Sequence, residues 1–286
     1  MRILYHNERF VDEEAVHISP FDRGLLYGDG LFETIKIADG RIHFLDEHLA
    51  RLLESCRALS IAGAEAHDFR KVIERLVDEN NLDGGGCAKI LVTRGTHTGD
   101  LTLFKPTAPS VIASVLPYRL PEKIAGGDGL RLMICDRPRQ NEKGSLWRHK
   151  SLNYLLYLQV RDEAVRAGYD DGILLNQNGD ICESSTANVF ALSGERISTP
   201  ALDCGILPGI VRAEIIKLLA RHGTPVAETR MRPRELRSAD EIFLTNSLIE
   251  VAPISAIDGN EGLSCNRTQE IKALFEQYRD RAISSP

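Results

Sequence analysis

The stretch that decides the fold reads Glu183-Ser184-Ser185-Thr186-Ala187-Asn188-Val189-Phe190, continues through Ile197-Ser198-Thr199, and closes on Leu207-Pro208-Gly209-Ile210-Val211-Arg212. It holds an acid with an asparagine five residues on, a short strand ending in threonine, and a glycine turn that opens a helix. Each piece also has an ordinary reading. Pro208-Gly209 can simply start a helix, yet a glycine turn there leaves backbone N–H groups pointing outward, which suits a phosphate. Glu183 is either a surface charge or a buried acid. A buried glutamate that stays ionised needs a partner. A protonated heteroaromatic nitrogen is such a partner, and holding its proton makes the ring an electron sink. Taken in order, the three pieces point to one site for a charged heteroaromatic phosphate cofactor.

Working outward, the 286 residues suffice for one large domain or two ordinary ones. Hydrophobic content of 43% with 27% charged residues is ordinary globular composition. The net charge of −6 argues against a nucleic-acid partner. No apolar run reaches the roughly 18 residues of a membrane span, and the N-terminus carries no signal-peptide core. The six cysteines are scattered without a CxxC pair, so they read as reduced thiols of a cytoplasmic protein. The eight histidines show no paired spacing, so no metal site is expected.

The element pattern is α+β in two unlike halves. In the first, hairpin strands flank His6-Asn7-Glu8, Leu31–Ile37 is a strand, and Asp39-Gly40 turns it back through Arg41–Phe44. Leu49, Leu52, Leu53, Cys56 and Leu59 predict a helix from about Asp46, and Phe69, Val72, Ile73, Leu76 and Val77 a second. Strands follow at Cys87–Thr93 and Ser110–Leu116. The proline- and glycine-bearing stretch Pro117–Gly129 reads as a linker. The expected division is residues 1–118, a linker at 119–129, and 130–286. The second half opens on a strand, Leu130–Ile134, and a polar loop over Asp136–Trp147. A long helix follows Lys150, with Leu152, Leu155, Leu156 and Val160 toward a core. Further strands are expected at Asp170–Asn176, Val189–Leu192, Arg196–Ser198 and Glu241–Thr245, a helix from Gly209 to before Gly223, and a helical tail from about Thr268.

Two more residues carry candidate chemistry. Lys150, in Trp147-Arg148-His149-Lys150-Ser151-Leu152-Asn153-Tyr154, is either a solvated charge before a helix or an amine activated by partial burial near His149 and Arg148. The helix macrodipole disfavours a cation there. Arg51 sits among core-facing leucines, either snorkelling or forming a bidentate phosphate clamp. The glycine-rich run Gly24–Gly30 lacks a P-loop or dinucleotide pattern, and close backbone packing is its expected use.

These residues resemble the class-IV aminotransferase family, the fold-type IV pyridoxal-phosphate enzymes. The resemblance runs from Ser19-Pro20-Phe21-Asp22-Arg23-Gly24 through Pro253. It implies a two-domain α+β fold: a smaller N-terminal α/β domain and a larger C-terminal mixed α/β domain that binds pyridoxal 5′-phosphate. By the same resemblance Lys150 is the catalytic lysine that carries the cofactor, and Glu183 pairs with its pyridine nitrogen. Arg51 and the backbone of Gly209, Ile210 and Val211 contact the phosphate, and Tyr154 lies beside the cofactor. Asn246-Ser247 completes the phosphate cup, with Thr245 the alternative to Ser247. Val211 stands where threonine is common, so one hydroxyl is missing.

Within the family, Tyr27-Gly28-Asp29-Gly30, Phe32-Glu33-Thr34 and Thr245-Asn246-Ser247-Leu248 are most similar to the aminodeoxychorismate lyases. That likeness implies release of pyruvate and 4-aminobenzoate on the folate route. The alternative is an aminotransferase working between a branched-chain or D-amino acid and a keto acid. Thr34, Arg94, His97 and Arg148, with Lys89, are the candidates for a small-molecule amino substrate. The arginine–histidine arrangement of D-amino-acid transaminases is absent after Thr93-Arg94-Gly95. A ligand-binding protein on the same fold would be expected to lose the lysine, and Lys150 is present. The family also implies a homodimer.

Overall fold

The computed structural model describes residues 1–82, 85–96, 99, 102–103 and 108–284. The chain divides into two units: Met1–Arg119 with His149–Tyr154, and Leu120–Arg148 with Leu155–Pro286. The first boundary falls between Arg119 and Leu120, at the start of the expected linker 119–129. Most of it belongs to the second unit, where it carries a short helix, α4 (Glu122–Ala125). The hexapeptide around Lys150 belongs to the first.

The first unit is built on one antiparallel sheet. Its strands are β1 (Ile3–His6), β2 (Arg9–Asp12), β3 (Gly30–Ala38), β4 (Arg41–Ile42), β5 (Gly86–Thr93) and β6 (Ser110–Pro117), in the order β2-β1-β6-β5-β3-β4. A short helix, α1 (Arg23–Tyr27), precedes β3, while α2 (Leu45–Ala58) and α3 (Phe69–Glu79) supply the core-facing helical stripes. β3 alternates as a half-covered strand must. Leu31, Glu33, Ile35 and Ile37 are buried, whereas Phe32, Thr34 and Lys36 stay partly exposed on the other face. Leu31, Ile35 and Ile37 share a core with Leu52 and Cys56 of α2 and Phe69, Ile73 and Leu76 of α3. The return strand after Asp39-Gly40 is only two residues long, because Phe44 turns left-handed (φ 51°) at the start of α2.

The second unit holds nine strands among the described residues. They are β7 (Leu130–Gln140), β8 (Asp171–Asn176), β9 (Ile181–Ser184), β10 (Asn188–Ser193), β11 (Arg196–Pro200), β12 (Val226–Thr229), β13 (Glu241–Asn246), β14 (Glu250–Ile257) and β15 (Asn260–Glu261). Their order is β12-β11-β10-β13-β14-β7-β8-β9, with β15 against β14. β7 runs parallel to both β14 and β8. All six residues of β8 are buried, as expected for a strand covered on both faces. The helices are α5 (Leu155–Arg166), α6 (Ile210–Arg221), α7 (Pro233–Arg237) and α8 (Asn266–Ser284).

Three sequence expectations are corrected here. Asp136–Gln140 is strand, not loop: β7 slips register between Cys135 and Arg139 and then pairs Arg139 and Gln140 with β8. β14 lies outside the expected strands, because Pro253 argues against a central strand. Pro253 pairs with Phe243 on β13, and the ladder with β7 begins one residue later, at Ile254. The helix after Lys150 starts at Leu155, and Leu152 precedes it. Leu155 is 68% exposed, while Val160 and Ala164 are buried and Leu156 packs partly buried against the same core as Val160.

Candidate active site

Lys150 is held by β3 rather than by a helix. Phe32 N–H donates to the Lys150 carbonyl at 2.8 Å, and Leu152 N–H donates to the Gly30 carbonyl at 2.9 Å. Glycine is required for that approach, since a Cβ on Gly30 would lie 2.7 Å from Leu152 Cδ1 and from the Val92 carbonyl oxygen. His149 adds a second anchor, with Nδ1 3.0 Å from Ser55 Oγ on α2. The amine then lies 4.4 Å from the centre of the Phe32 ring and 6.0 Å from that of Tyr154. The two rings meet edge to face at 5.6 Å and 80°. This is an aromatic corner whose ring faces favour a cation. The expected influence of His149 and Arg148 is replaced by these rings. His149 turns to Ser55, and exposed Arg148 lies 4.8 Å over the Trp147 ring.

Glu33 falls on the buried face of β3, where a lone charge is untenable. Arg51 meets it as a fork: Nε to Oε1 at 2.7 Å and Nη2 to Oε2 at 2.6 Å. His48, one helical turn before Arg51 on α2, places Nδ1 2.7 Å from Oε2. Burial raises the Glu33 carboxyl, but the Arg51 charge and the His48 and Arg51 hydrogen bonds outweigh it and bring its pKa down to about 2. Burial also pushes the His48 imidazole down, against the pull of Glu33, and the Arg51 and Lys150 charges push the same way. His48 is thus a neutral ring whose Nδ1–H donates to an ionised carboxylate.

In the second unit, Glu183 lies on β9 with only 4% exposure. Tyr157 OH donates to Oε1 at 3.1 Å and Asn188 Nδ2 to Oε2 at 3.0 Å. Leu207 N–H reaches both oxygens, at 3.2 and 3.1 Å. Asn188 also donates to the Leu207 carbonyl at 3.0 Å, which closes the turn onto the acid. Gly209 follows as the N-cap of α6, and among the described residues no side chain caps that helix. The N–H groups of its first turn, from Ile210 and Val211 onward, have no partner within the helix, an arrangement suited to an anion. A Cβ on Gly209 would sit 1.9 Å from Asn188 Oδ1, so glycine alone fits.

Thr245 pairs directly with Asn188 across β10 and β13, so both side chains share a face. Its Oγ1 is buried with no hydrogen-bond partner among the described residues. Asn246 is spent on its turn: Oδ1 accepts from Leu248 and Ile249 N–H at 2.9 Å, and Nδ2 donates to the Thr186 carbonyl at 3.2 Å. Ser247 follows in that turn, partly buried.

The substrate candidates scatter. Arg94 is buried and fully engaged. It forks onto Asp29 at 2.8 and 3.1 Å and donates to the carbonyls of Ser60, Leu103 and Leu59 at 2.6, 3.0 and 2.7 Å. All five guanidinium N–H groups are thereby used, which leaves none for a substrate carboxylate. Thr34 sits on the partly exposed face of β3, directly opposite exposed Lys89 on β5. The Lys89 amine lies 5.4 Å from the Phe32 ring centre. His97 lies outside the described residues. Among the described residues no His/Cys/Asp/Glu group could hold a metal, and no helix is long and apolar enough to cross a membrane.

Sequence reasoning did not single out Glu33 and His48, although a charge on the buried phase of an alternating strand was a usable signal. Tyr157 and Gln140 were also missed, and they had none, since their meeting with Glu183 depends on tertiary packing.

The sequence model of the family described as Amino-transferase class IV matches residues 30–257. A putative branched-chain-amino-acid aminotransferase of Methanocaldococcus jannaschii is 34% identical over 279 residues, covering 97% of this chain and 95% of that protein. The aminodeoxychorismate lyase of Bacillus subtilis is 31% identical over 298 residues, covering 99% of each. Among solved structures, the branched-chain aminotransferase of the thermophilic archaeon Thermoproteus uzoniensis with norvaline superposes with a TM-score of 0.88 at 27% identity, over 96% of this chain and 94% of that one. Another branched-chain amino acid aminotransferase, complexed with N-(5′-phosphopyridoxyl)-L-glutamate, superposes with a TM-score of 0.87 at 25% identity, over 98% of this chain and 95% of that one. The chain belongs to the class-IV aminotransferase family.

It is a pyridoxal 5′-phosphate enzyme of fold-type IV. The residues present fit that cofactor: an uncapped helix N-terminus and an orphaned buried hydroxyl suit a phosphate, and a triply bonded buried carboxylate suits a ring N–H.

Proposed function

We propose that the protein is a 4-amino-4-deoxychorismate lyase. The observation that carries this reading is the partly exposed face of β3 and β5 beside Lys150, where the Phe32 ring, the Thr34 hydroxyl and the Lys89 amine stand together. An aromatic surface with a nearby cation suits a cyclic substrate bearing carboxylates.

Lys150 is the attachment point of the cofactor. Its free amine would take the proton from the substrate carbon bearing nitrogen. Glu183 keeps the ring nitrogen protonated. The first turn of α6 and the hydroxyl of Ser247 or Thr245 would hold the phosphate, and in the first unit Tyr154 packs beside the lysine. The bound cofactor supplies the electron sink. Loss of that proton would let the enol-ether C–O bond at the adjacent carbon break, so that the substrate ring becomes aromatic as 4-aminobenzoate and the departing enolpyruvate takes up a proton to give pyruvate.

The second reading is an aminotransferase, favoured by the 34% identity to the branched-chain relative over 97% of the chain. Incubation with aminodeoxychorismate and no keto-acid acceptor separates the two. Pyruvate release over many turnovers supports the lyase; amino transfer from an amino acid to a keto acid without such release overturns it.

A homodimer and a cytoplasmic setting belong to the same reading. The exposed apolar run Phe21, Leu25, Leu26 and Tyr27 supports the dimer, since Leu25 alone is 66% exposed. Sedimentation of the wild type against Leu25→Asp tests it, with a fall in mass expected for the variant.

A further inference from the structure

Glu183 is backed by a chain of two further side chains from separate elements. Gln140, at the end of β7, donates through Nε2 to Tyr157 OH at 3.1 Å and to the Gly205 carbonyl at 3.1 Å. Tyr157, on α5, donates to Glu183 Oε1 at 3.1 Å. The direction of this chain is fixed. The Gly205 carbonyl only accepts, so the Gln140 atom facing it is the amide nitrogen, and the same nitrogen faces Tyr157. Tyr157 has one proton. With its oxygen accepting from Gln140, that proton points at Glu183.

We infer that Gln140 and Tyr157 form a directed relay that determines on which side the proton shared by Glu183 and the cofactor ring nitrogen rests. The inference depends on the reading, given above, that Glu183 meets that nitrogen. Donors to a carboxylate favour its ionised form over the neutral acid. Tyr157 therefore makes Glu183 a poorer owner of the shared proton and leaves it on the ring, where it sustains the electron sink. Asn188 and the Leu207 N–H do the same locally, from the signature stretch itself. Tyr157 is a positioning residue, since it acts through Glu183. Gln140 reaches it only because β7 slips register before Arg139 and re-pairs at its end.

The test loads wild type, Tyr157→Phe, Gln140→Met and Glu183→Gln with ring-¹⁵N pyridoxal phosphate and records the nitrogen chemical shift. Wild type is expected at the protonated-pyridine position, and Glu183→Gln near the unprotonated one. Tyr157→Phe should move part of that way, and Gln140→Met a smaller part in the same direction. If Glu183→Gln moves the resonance while Tyr157→Phe and Gln140→Met stay at the wild-type position, the relay is refuted and the acid keeps its role. If Glu183→Gln leaves the resonance unmoved, the acid's role fails and the relay with it. Should Tyr157→Phe not fold, Gln140→Met against wild type decides the matter.

Discussion

Arg51 grips Glu33 with two parallel hydrogen bonds of 2.7 and 2.6 Å, inside the helix-covered face of the first sheet. The pair joins α2 to β3, the strand whose backbone also holds Lys150. Breaking such a pair on one side leaves a buried charge without its counterpart, which costs more than the net worth of the pair. Glu33→Gln keeps the shape and removes the charge. Urea denaturation is expected to show a loss of about 3–5 kcal/mol. Arg51→Lys keeps a charge but not the fork, and is expected to lose less stability. An unchanged urea midpoint for Glu33→Gln would show that the pair is dispensable.

The same residues predict an acid limit. The Glu33 pKa is lowered to about 2, so its contribution is complete above the unfolded value near 4.5 and is lost as pH falls from there toward 2. His48 is also lowered, from 6.5, and so resists protonation in the fold while the unfolded chain accepts it. Its contribution therefore begins to fall below about pH 6.5. Both signs agree, so the melting temperature should decline from pH 6.5 downward and more steeply below 4.5. Glu33→Gln should lose the steep acidic limb. A wild-type profile flat to pH 3 would contradict the assignment.

At the other unit's site the sharpest constraint is steric. Gly209→Ala puts a methyl group 1.9 Å from Asn188 Oδ1 unless one of them moves. Asn188 holds both Glu183 and the Leu207 carbonyl, so its displacement loosens the acid and the Leu207–Gly209 turn together. Cofactor affinity, measured by absorbance titration, is expected to fall about 10- to 100-fold, taking the loss of one to two charge-assisted hydrogen bonds. Urea stability without cofactor should change by much less than the affinity. Equal affinity for Gly209→Ala and wild type would show that the turn has slack.

The residues proposed to bind the cofactor were more legible than the scaffold that supports them. Glu183, Asn188 and Gly209 are close in sequence, so their spacing alone carried the chemistry, and the helix from Gly209 and the alternation of β3 followed from local pattern. Lys150 was singled out through the family resemblance, but its surroundings were not legible. The residues after it suggested a helix, whereas hydrogen bonding to Gly30 and Phe32 draws the segment out along β3. β14 stayed hidden because Pro253 masks a strand whose parallel partner begins one residue later. Tyr157 and Gln140 reach Glu183 from α5 and β7, and no periodicity encodes such a meeting.

Arg94 and Lys89 allow the last prediction, because their surroundings assign them opposite duties. Arg94 spends every donor on Asp29 and three carbonyls and is 2% exposed. Lys89 stands exposed on the Phe32–Thr34 face, its amine 5.4 Å from the Phe32 ring centre. Arg94→Lys cannot reproduce the fork and strands several acceptors. It is expected to cost about 2–4 kcal/mol in urea denaturation and to alter KM no more than kcat. Lys89→Gln is expected to leave the urea midpoint within about 0.5 kcal/mol of wild type. On the proposed reading it raises KM for a carboxylate-bearing substrate about 10-fold, the value of one partly exposed charge-assisted contact. Each variant is thus the other's control. A reversal, with stability lost at Lys89 and KM at Arg94, would return Arg94 to the substrate and remove the cationic face of β3 and β5 from the specificity argument.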